Sequence, residues 1–388
     1  MLAWLMALTA LSIDIMLPSL PDIGATFRIA SENDRQLVVT AYLAGLAFGQ
    51  LLWGHFSDRH GRRMPLLLGL AIYVAGGAAA IMAPSFMWLI AARACQGFGG
   101  AAARTIGTAI VRDVFSGRDM ARTMSFVMMV FIIVPVLAPS VGQALLYVGS
   151  WRLGFGVLLA AGIIAIAWVG TRLPETLRGR AAAGAQPLRI GASIVAVVSS
   201  GVTRAYGLAA GLMFGCLVAY ISSAQQVFVD GYGLGDKFPL AFGGIAVSMA
   251  LAAFTNAQLV QRLGMRRVSH VALVAFIVAS SSLAALSLTG KPPLWLLIGS
   301  LAVCFYLFAL MQANFNAIAM HPVGHVAGMA SSLLGAFVTG CGVVLGGLIG
   351  HAFDGTPMPL AVGFAALGIC AFLVVLSVEG RAGLFRGE

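Results

Sequence analysis

Apolar runs of about twenty residues recur along the whole of this chain, and a helix of that length is what spans the hydrocarbon core of a bilayer. Composition closes the alternative. The 388 residues are 60% hydrophobic and only 9% charged, whereas a soluble domain carries about a quarter charged residues. Too little polar surface is left to cover a globule in water. The expected class is an all-α, polytopic membrane protein. Runs and polar breaks place twelve helices near residues 1–20, 37–53, 66–84, 86–111, 123–147, 152–170, 206–229, 239–261, 269–288, 294–320, 328–352 and 360–378. The first run has no basic start and no small-residue cleavage site, and it contains Asp14 and Pro18. It therefore reads as a retained helix and not a signal peptide.

A net charge of +10 would suggest nucleic acid in a soluble protein. In a membrane protein, Lys and Arg instead mark the cytoplasmic loops. With the N-terminus inside, sixteen basic residues fall in inner segments and five (Arg28, Arg35, Arg152, Lys237, Lys291) in outer ones. Both ends are therefore expected in the cytoplasm, and no nucleic-acid partner is expected. The five cysteines all sit in apolar runs without paired spacing, as small core residues do. "HPVGH" (321–325) sets two histidines four apart in a short turn with no third ligand, so no metal site is expected.

The longest break divides the chain into residues 1–170, a six-helix bundle, a cytoplasmic linker at 171–204, and residues 205–388, a second six-helix bundle with a short tail. The linker opens with "RLPETLRGRAAAGAQPLR" and continues into the short apolar "IGASIVAVVSSGV", an interfacial helix by its length. The halves echo each other: "RHGRRM" (59–64) follows the second helix and "RLGMRR" (262–267) the eighth. Parallel six-helix repeats are a transporter architecture, with the substrate site expected between the halves near mid-membrane.

Thirteen acids are present, and Asp14 is the one set well inside a span. An ionised side chain at that depth costs at least ~2.5 kcal/mol, so it must face a cavity or a partner. Asp14 lies about six residues, or ~9 Å, below the outer surface. Arg93, on the fourth helix, lies at a similar depth and is the expected companion of a proton-titrating, substrate-facing carboxylate. Arg104 is eleven residues beyond Arg93 and only about 20° away in direction, with Gln96, Gly97 and Gly100 on the same stripe. The second half offers amides, among them Gln225 and Asn314, and no embedded charge. Gln96, Arg104, Gln225 and Asn314 are the candidate cavity residues. With a single embedded acid, neutral lipophilic substrates are expected over dications.

After the second helix comes "GHFSDRHGRR" (54–63), the fourth carries "RACQG" (93–97), and the fifth carries "PVLAPSVG" (135–142). Pro135 and Pro139 each remove a helix hydrogen bond and Gly142 leaves a flat surface, as in helices that bend or rock. In that order the three stretches resemble the signatures of the major facilitator superfamily, in particular its twelve-helix drug:proton antiporters. "SIDIMLPSLP", "VRDVF", "RTMSFVMMV", "LPETL" and "AGMASSLLG" are similar to the bicyclomycin/chloramphenicol resistance (Bcr/CflA) group. The resemblance implies that Asp14 and Arg93 serve drug binding and proton coupling. It implies that Gly54, Asp58, Arg59, Gly61, Arg62 and Arg63 latch an inner gate, with Asp58 near the helix start at Gly328. Pro135, Pro139 and Gly142 would hold the halves together and limit proton leak. His55 and Arg104 depart from the group's pattern, the latter bearing on substrate range.

The expectation is a monomeric multidrug exporter of a bacterial inner membrane, working by alternating access on small bicyclomycin- or chloramphenicol-like drugs. No cofactor is expected. The proton gradient supplies the drive, since no GxxxxGK[ST] stretch occurs, and no Ser/His/Asp set suggests an enzyme. The alternative is a proton-coupled exporter or symporter of an endogenous metabolite such as an amino acid.

Overall fold

Two glycines with positive φ, Gly61 at 89° and Gly264 at 80°, interrupt the chain at the two echoed basic stretches. Each ends one long helix and starts the next within a residue or two, a conformation open to glycine because it lacks a Cβ. They are the fixed points of a structure built from fourteen α-helices, with no strand among the described residues of this computed structural model, which are 1–115, 117–177 and 190–383.

The first helices are α1 (Leu2–Asp14), α2 (Leu20–Phe27), α3 (Leu37–His60) and α4 (Arg63–Ile81). Then come α5 (Phe86–Val114), α6 (Gly117–Val148), α7 (Arg152–Arg172) and the short α8 (Ile190–Ser199). The remainder are α9 (Gly201–Gln225), α10 (Phe238–Leu263), α11 (Met265–Leu288), α12 (Leu294–Met320), α13 (Ala327–His351) and α14 (Met358–Gly383). Ten helical stretches are long and apolar enough to cross a membrane, α1 and α2 together making the first. The two further spans are α5, 29 residues long but diluted by Arg93, Gln96, Arg104 and glycines, and α6, apolar over Ile133–Val148. Twelve spans result. The linker's middle (178–189) and the tail (384–388) lie outside the described residues.

By its contacts the chain forms two compact units, Met1–Ile190 with Ser331–Ala336, and Gly191–Ala330 with Phe337–Glu388. In the first, α5 packs against α3, α4 and α1, and α4 against α7. In the second, α12 packs against α10, α11 and α9, and α11 against α14. The same pattern serves both six-span bundles.

Local sequence sets the ends. Ser85 caps α5 by accepting from the Trp88 N–H, and Ser200 caps α9 by accepting from the Thr203 N–H, each satisfying a donor a helix start leaves open. Close packing within the first unit rests on small residues. At Gly97 the α5 backbone meets the Tyr42 carbonyl so closely that a Cβ would collide with it. α3 and α5 touch along that stripe.

The expected first helix at 1–20 differs from what is found. α1 stops at Asp14, a short 3₁₀ turn follows at Leu17–Ser19, and α2 resumes at Leu20. Pro18 has no N–H to donate to the Asp14 carbonyl, so the helix ladder ends there.

Candidate functional site

Arg93 is completely withdrawn from solvent, at 0% exposure, and each of its three guanidinium nitrogens donates a hydrogen bond. Its Nε donates to the Val38 carbonyl (3.0 Å), Nη1 to Gln96 Oε1 (2.7 Å) and Nη2 to the Ser12 carbonyl (2.8 Å). The ring of Tyr42 lies 4.5 Å from its Cζ and that of Phe155 5.6 Å away. One cation thus ties α1, α3 and α5 together. Beside it, the Ser12 hydroxyl donates to the Leu8 carbonyl (2.6 Å) and so accepts from the Tyr73 hydroxyl (2.7 Å).

Asp14 is the opposite case. It is 3% exposed and its Oδ1 has no hydrogen-bond partner. Among the described residues no cation pairs with it. The expected companionship with Arg93 is indirect: Arg93 grips the Ser12 backbone, two residues before Asp14. On a helix, two residues are about 200° apart, so Ser12 and Asp14 leave α1 on opposite sides. The carboxyl sits on the last residue of α1, where the chain breaks. Gly142 of α6 packs directly on that break, and a Cβ there would collide with the Ile15 carbonyl oxygen and lie 3.4 Å from Pro18 Cδ. Pro139 and Gly142 are buried and Pro135 is half-buried.

The glycine turn at 61 carries a second charge cluster. Arg62, 4% exposed, donates from Nε to Asp113 Oδ2 (2.8 Å) and from Nη1 to the Ser57 hydroxyl (2.9 Å) and Asp58 Oδ1. Glu175 accepts the backbone N–H groups of Arg62 (2.8 Å), Leu177 (3.0 Å) and Arg63 (3.2 Å). Partial burial pushes the Glu175 carboxyl up, but the N–H groups of Arg62, Leu177, Arg63 and Thr176 outweigh it and hold the group below its ordinary value. Gly61 is buried with the Glu175 carboxylate where a Cβ would be, Gly54 is buried, and Arg59 and Arg63 are exposed.

In the second unit, Gln225 is 0% exposed. Its Nε2 donates to Asp230 Oδ1 (3.3 Å) while its Oε1 has no partner, and a π-helical turn, Gln226–Gly231, follows it. Asn314 exchanges hydrogen bonds with Asn256, at 2.9 and 3.4 Å, and makes none with Gln225. The Gly264 turn has its own carboxylate. Glu379 pairs with Arg266 (3.1 Å) and accepts from the Tyr206 hydroxyl (2.9 Å), which also meets His270 Nε2 (2.8 Å).

Of the predicted residues, Arg93 and Gln96 are in contact, and Asp58 and Arg62 are in contact. Asp14 is separate from Arg93. Sequence reasoning named neither Asp113 nor Glu175 as a site residue. The signals were an acid at the end of α5 and one just past α7, each near a basic turn. Tyr42 and Ser12 gave no signal, since hydroxyls are common in spans.

A chain of twelve spans in two six-helix units, with buried charges confined to a few points, has the build of a polytopic membrane transporter. It belongs to the Major Facilitator Superfamily, whose family model matches residues 2–347. It is 31% identical over 381 residues to "Uncharacterized MFS-type transporter YdgK" of Bacillus subtilis, covering 96% of this chain and 93% of that one. It is 28% identical over 373 residues to "Bicyclomycin resistance protein homolog" of Haemophilus influenzae, covering 94% and 91%. Its fold is similar to a partially occluded inward-open structure of the xylose transporter XylE from E. coli. The TM-score is 0.75 at 15% identity, over 97% of this chain and 96% of that one.

Proposed function

We propose that the protein exports small, lipophilic, mostly neutral drugs in exchange for protons by alternating access. The setting would be a bacterial inner membrane, with both termini in the cytoplasm. It would act as a monomer, without cofactor, driven by the proton gradient. One observation carries this reading: Asp14, at 3% exposure, has no paired cation among the described residues and an unbonded Oδ1. An uncompensated charge costs several kcal/mol in such surroundings, so Asp14 is suited to hold a proton while enclosed and to lose it when the cavity opens and substrate enters. Arg93, hydrogen-bonded through all three of its guanidinium nitrogens, is suited to set the α1 backbone beside it. A relative named for bicyclomycin resistance supports the drug class. The Asp58–Arg62–Asp113 cluster, with Glu175 on the Gly61 turn, is suited to a gate that closes one end of the bundle. Pro135, Pro139 and Gly142 place a bending helix against the Asp14 break.

The test is proton release. Purified protein in weakly buffered detergent, mixed with chloramphenicol, is expected to acidify the medium, and the Asp14→Asn variant is expected not to. Equal release by the variant would sink the assignment of Asp14.

A further inference from the structure

Arg104 lies in the middle of α5 and on the Arg93 side of it. Eleven residues separate the two, which returns the helix to within about 20°. That side faces α1 and α3: a Cβ on Gly100 would lie 2.7 Å from the Tyr42 hydroxyl, and one on Gly107 would lie 3.8 Å from Met6 Cε. Arg104 itself is half-buried, next to Ala101, Ala102 and Ala103 at 0% exposure. Unlike Arg93, its guanidinium makes no hydrogen bond, ion pair or ring contact among the described residues. Nor does it reach the end of its helix. Val114 is ten residues on, about 15 Å at 1.5 Å per residue, which exceeds the length of an arginine side chain.

The groups near it are donors. The Tyr42 hydroxyl, one turn away along the Gly100–Arg104 side, where a Cβ on Gly100 would lie 2.7 Å from it, is 0% exposed and has no hydrogen-bond partner. The Thr9 and Ser12 hydroxyls lie beside it; Thr9 is 2% exposed, and its hydroxyl likewise has no hydrogen-bond partner. A partnerless cation in a span is costly and marks a substrate path more often than a structural tie. Here it comes with two buried hydroxyls and, among the described residues, no acid paired with it. A planar guanidinium and hydroxyl donors match the two oxygens of a carboxylate.

We propose that Arg104, with the Tyr42 and Thr9 hydroxyls, forms an anion subsite that admits amphiphilic monocarboxylates as substrates of this carrier. The inference rests on the transporter reading above and narrows it: dications are repelled, neutral drugs pass, and a single carboxylate adds a charge-assisted contact.

The experiment compares chloramphenicol with chloramphenicol succinate, one scaffold without and with a carboxylate, by tryptophan fluorescence titration of the purified full chain. Wild type is expected to bind the succinate at least about tenfold more tightly, the scale of hydrogen bonds to a charged group. Arg104→Gln is expected to lower the ratio of the two affinities by about the same factor, and Arg104→Lys to restore part of it. A ratio unchanged by Arg104→Gln overturns the subsite, as does wild type binding neither compound or favouring the neutral one. Drug-induced proton release, measured in parallel, tests the other reading separately. Release without an Arg104-dependent ratio keeps proton-coupled efflux and removes the subsite; an Arg104-dependent ratio without release does the reverse.

Discussion

Asp14 and Asp113 are both carboxylates withdrawn from solvent, 3% exposed for the whole residue in one case and 1% for the side chain in the other. Their surroundings are opposite. Asp113 receives the Arg62 Nε at 2.8 Å, and the same arginine reaches Ser57 and Asp58. Asp14 receives nothing at Oδ1. A paired buried charge is held in one place by its partner, while an unpaired one bears the cost of burial without compensation. The first suits a latch and the second suits a switch.

Neutral isosteres should separate the two. Asp14→Asn is expected to keep the fold, because an uncharged side chain of the same size replaces a group with no partner to lose, yet to abolish drug-induced proton release. Asp113→Asn leaves Arg62 with a diminished set of acceptors. It is expected to lower stability by about 3 kcal/mol, the lower part of the range for breaking a buried pair. Thermal unfolding in detergent reads this directly. A variant at Asp113 as stable as wild type, or one at Asp14 that unfolds early, would break the contrast.

One side of this contrast was legible beforehand, and the other was not for a physical reason. Asp14 stood out because an acid inside an apolar run is expensive, and Arg93 because cations there are equally rare. Depth followed from counting residues along helices. Direction around the helix did not, because the α1 break at Pro18 and the 200° between Ser12 and Asp14 matter only once a neighbour is placed. Arg93 therefore looked like a partner and is instead a clamp on the Ser12 carbonyl. Asp113 and Glu175 stayed hidden because helix-end acids near basic turns are ordinary; only the fold brings both to the same Gly61 turn. The echo between "RHGRRM" and "RLGMRR" was legible, and both repeats land on a glycine with positive φ.

A smaller effect sharpens the comparison from the backbone side. Gly142 touches the Ile15 carbonyl, one residue beyond Asp14, whereas Asp113 lies on continuous helix. Gly142→Ala adds a methyl where that oxygen already stands. Overpacking of this kind costs about 1–3 kcal/mol, and the chain that must yield is the one holding Asp14, the proposed switch. Proton release should weaken more than stability does. Wild-type release from this variant would mean that the α1 break does not set Asp14.

The smallest expected effect lies at the turn itself and shows as a pH dependence. Glu175 accepts three backbone N–H groups whose loss would leave the Gly61 turn open, and its carboxyl lies below its ordinary value of 4.5 despite partial burial. A folded-state value below the unfolded one contributes stability that is present above pH 4.5 and lost as pH falls through the folded value. Glu175→Gln keeps the shape and removes the titration. Wild type should therefore melt at a higher temperature than this variant at pH 7, with the gap closing as the pH is lowered below 4.5. A gap that stays constant down to pH 3 would mean that titration of the Glu175 carboxylate is not what strengthens the turn. Glu175 would then differ from Asp113 in kind, although both belong to the same cluster.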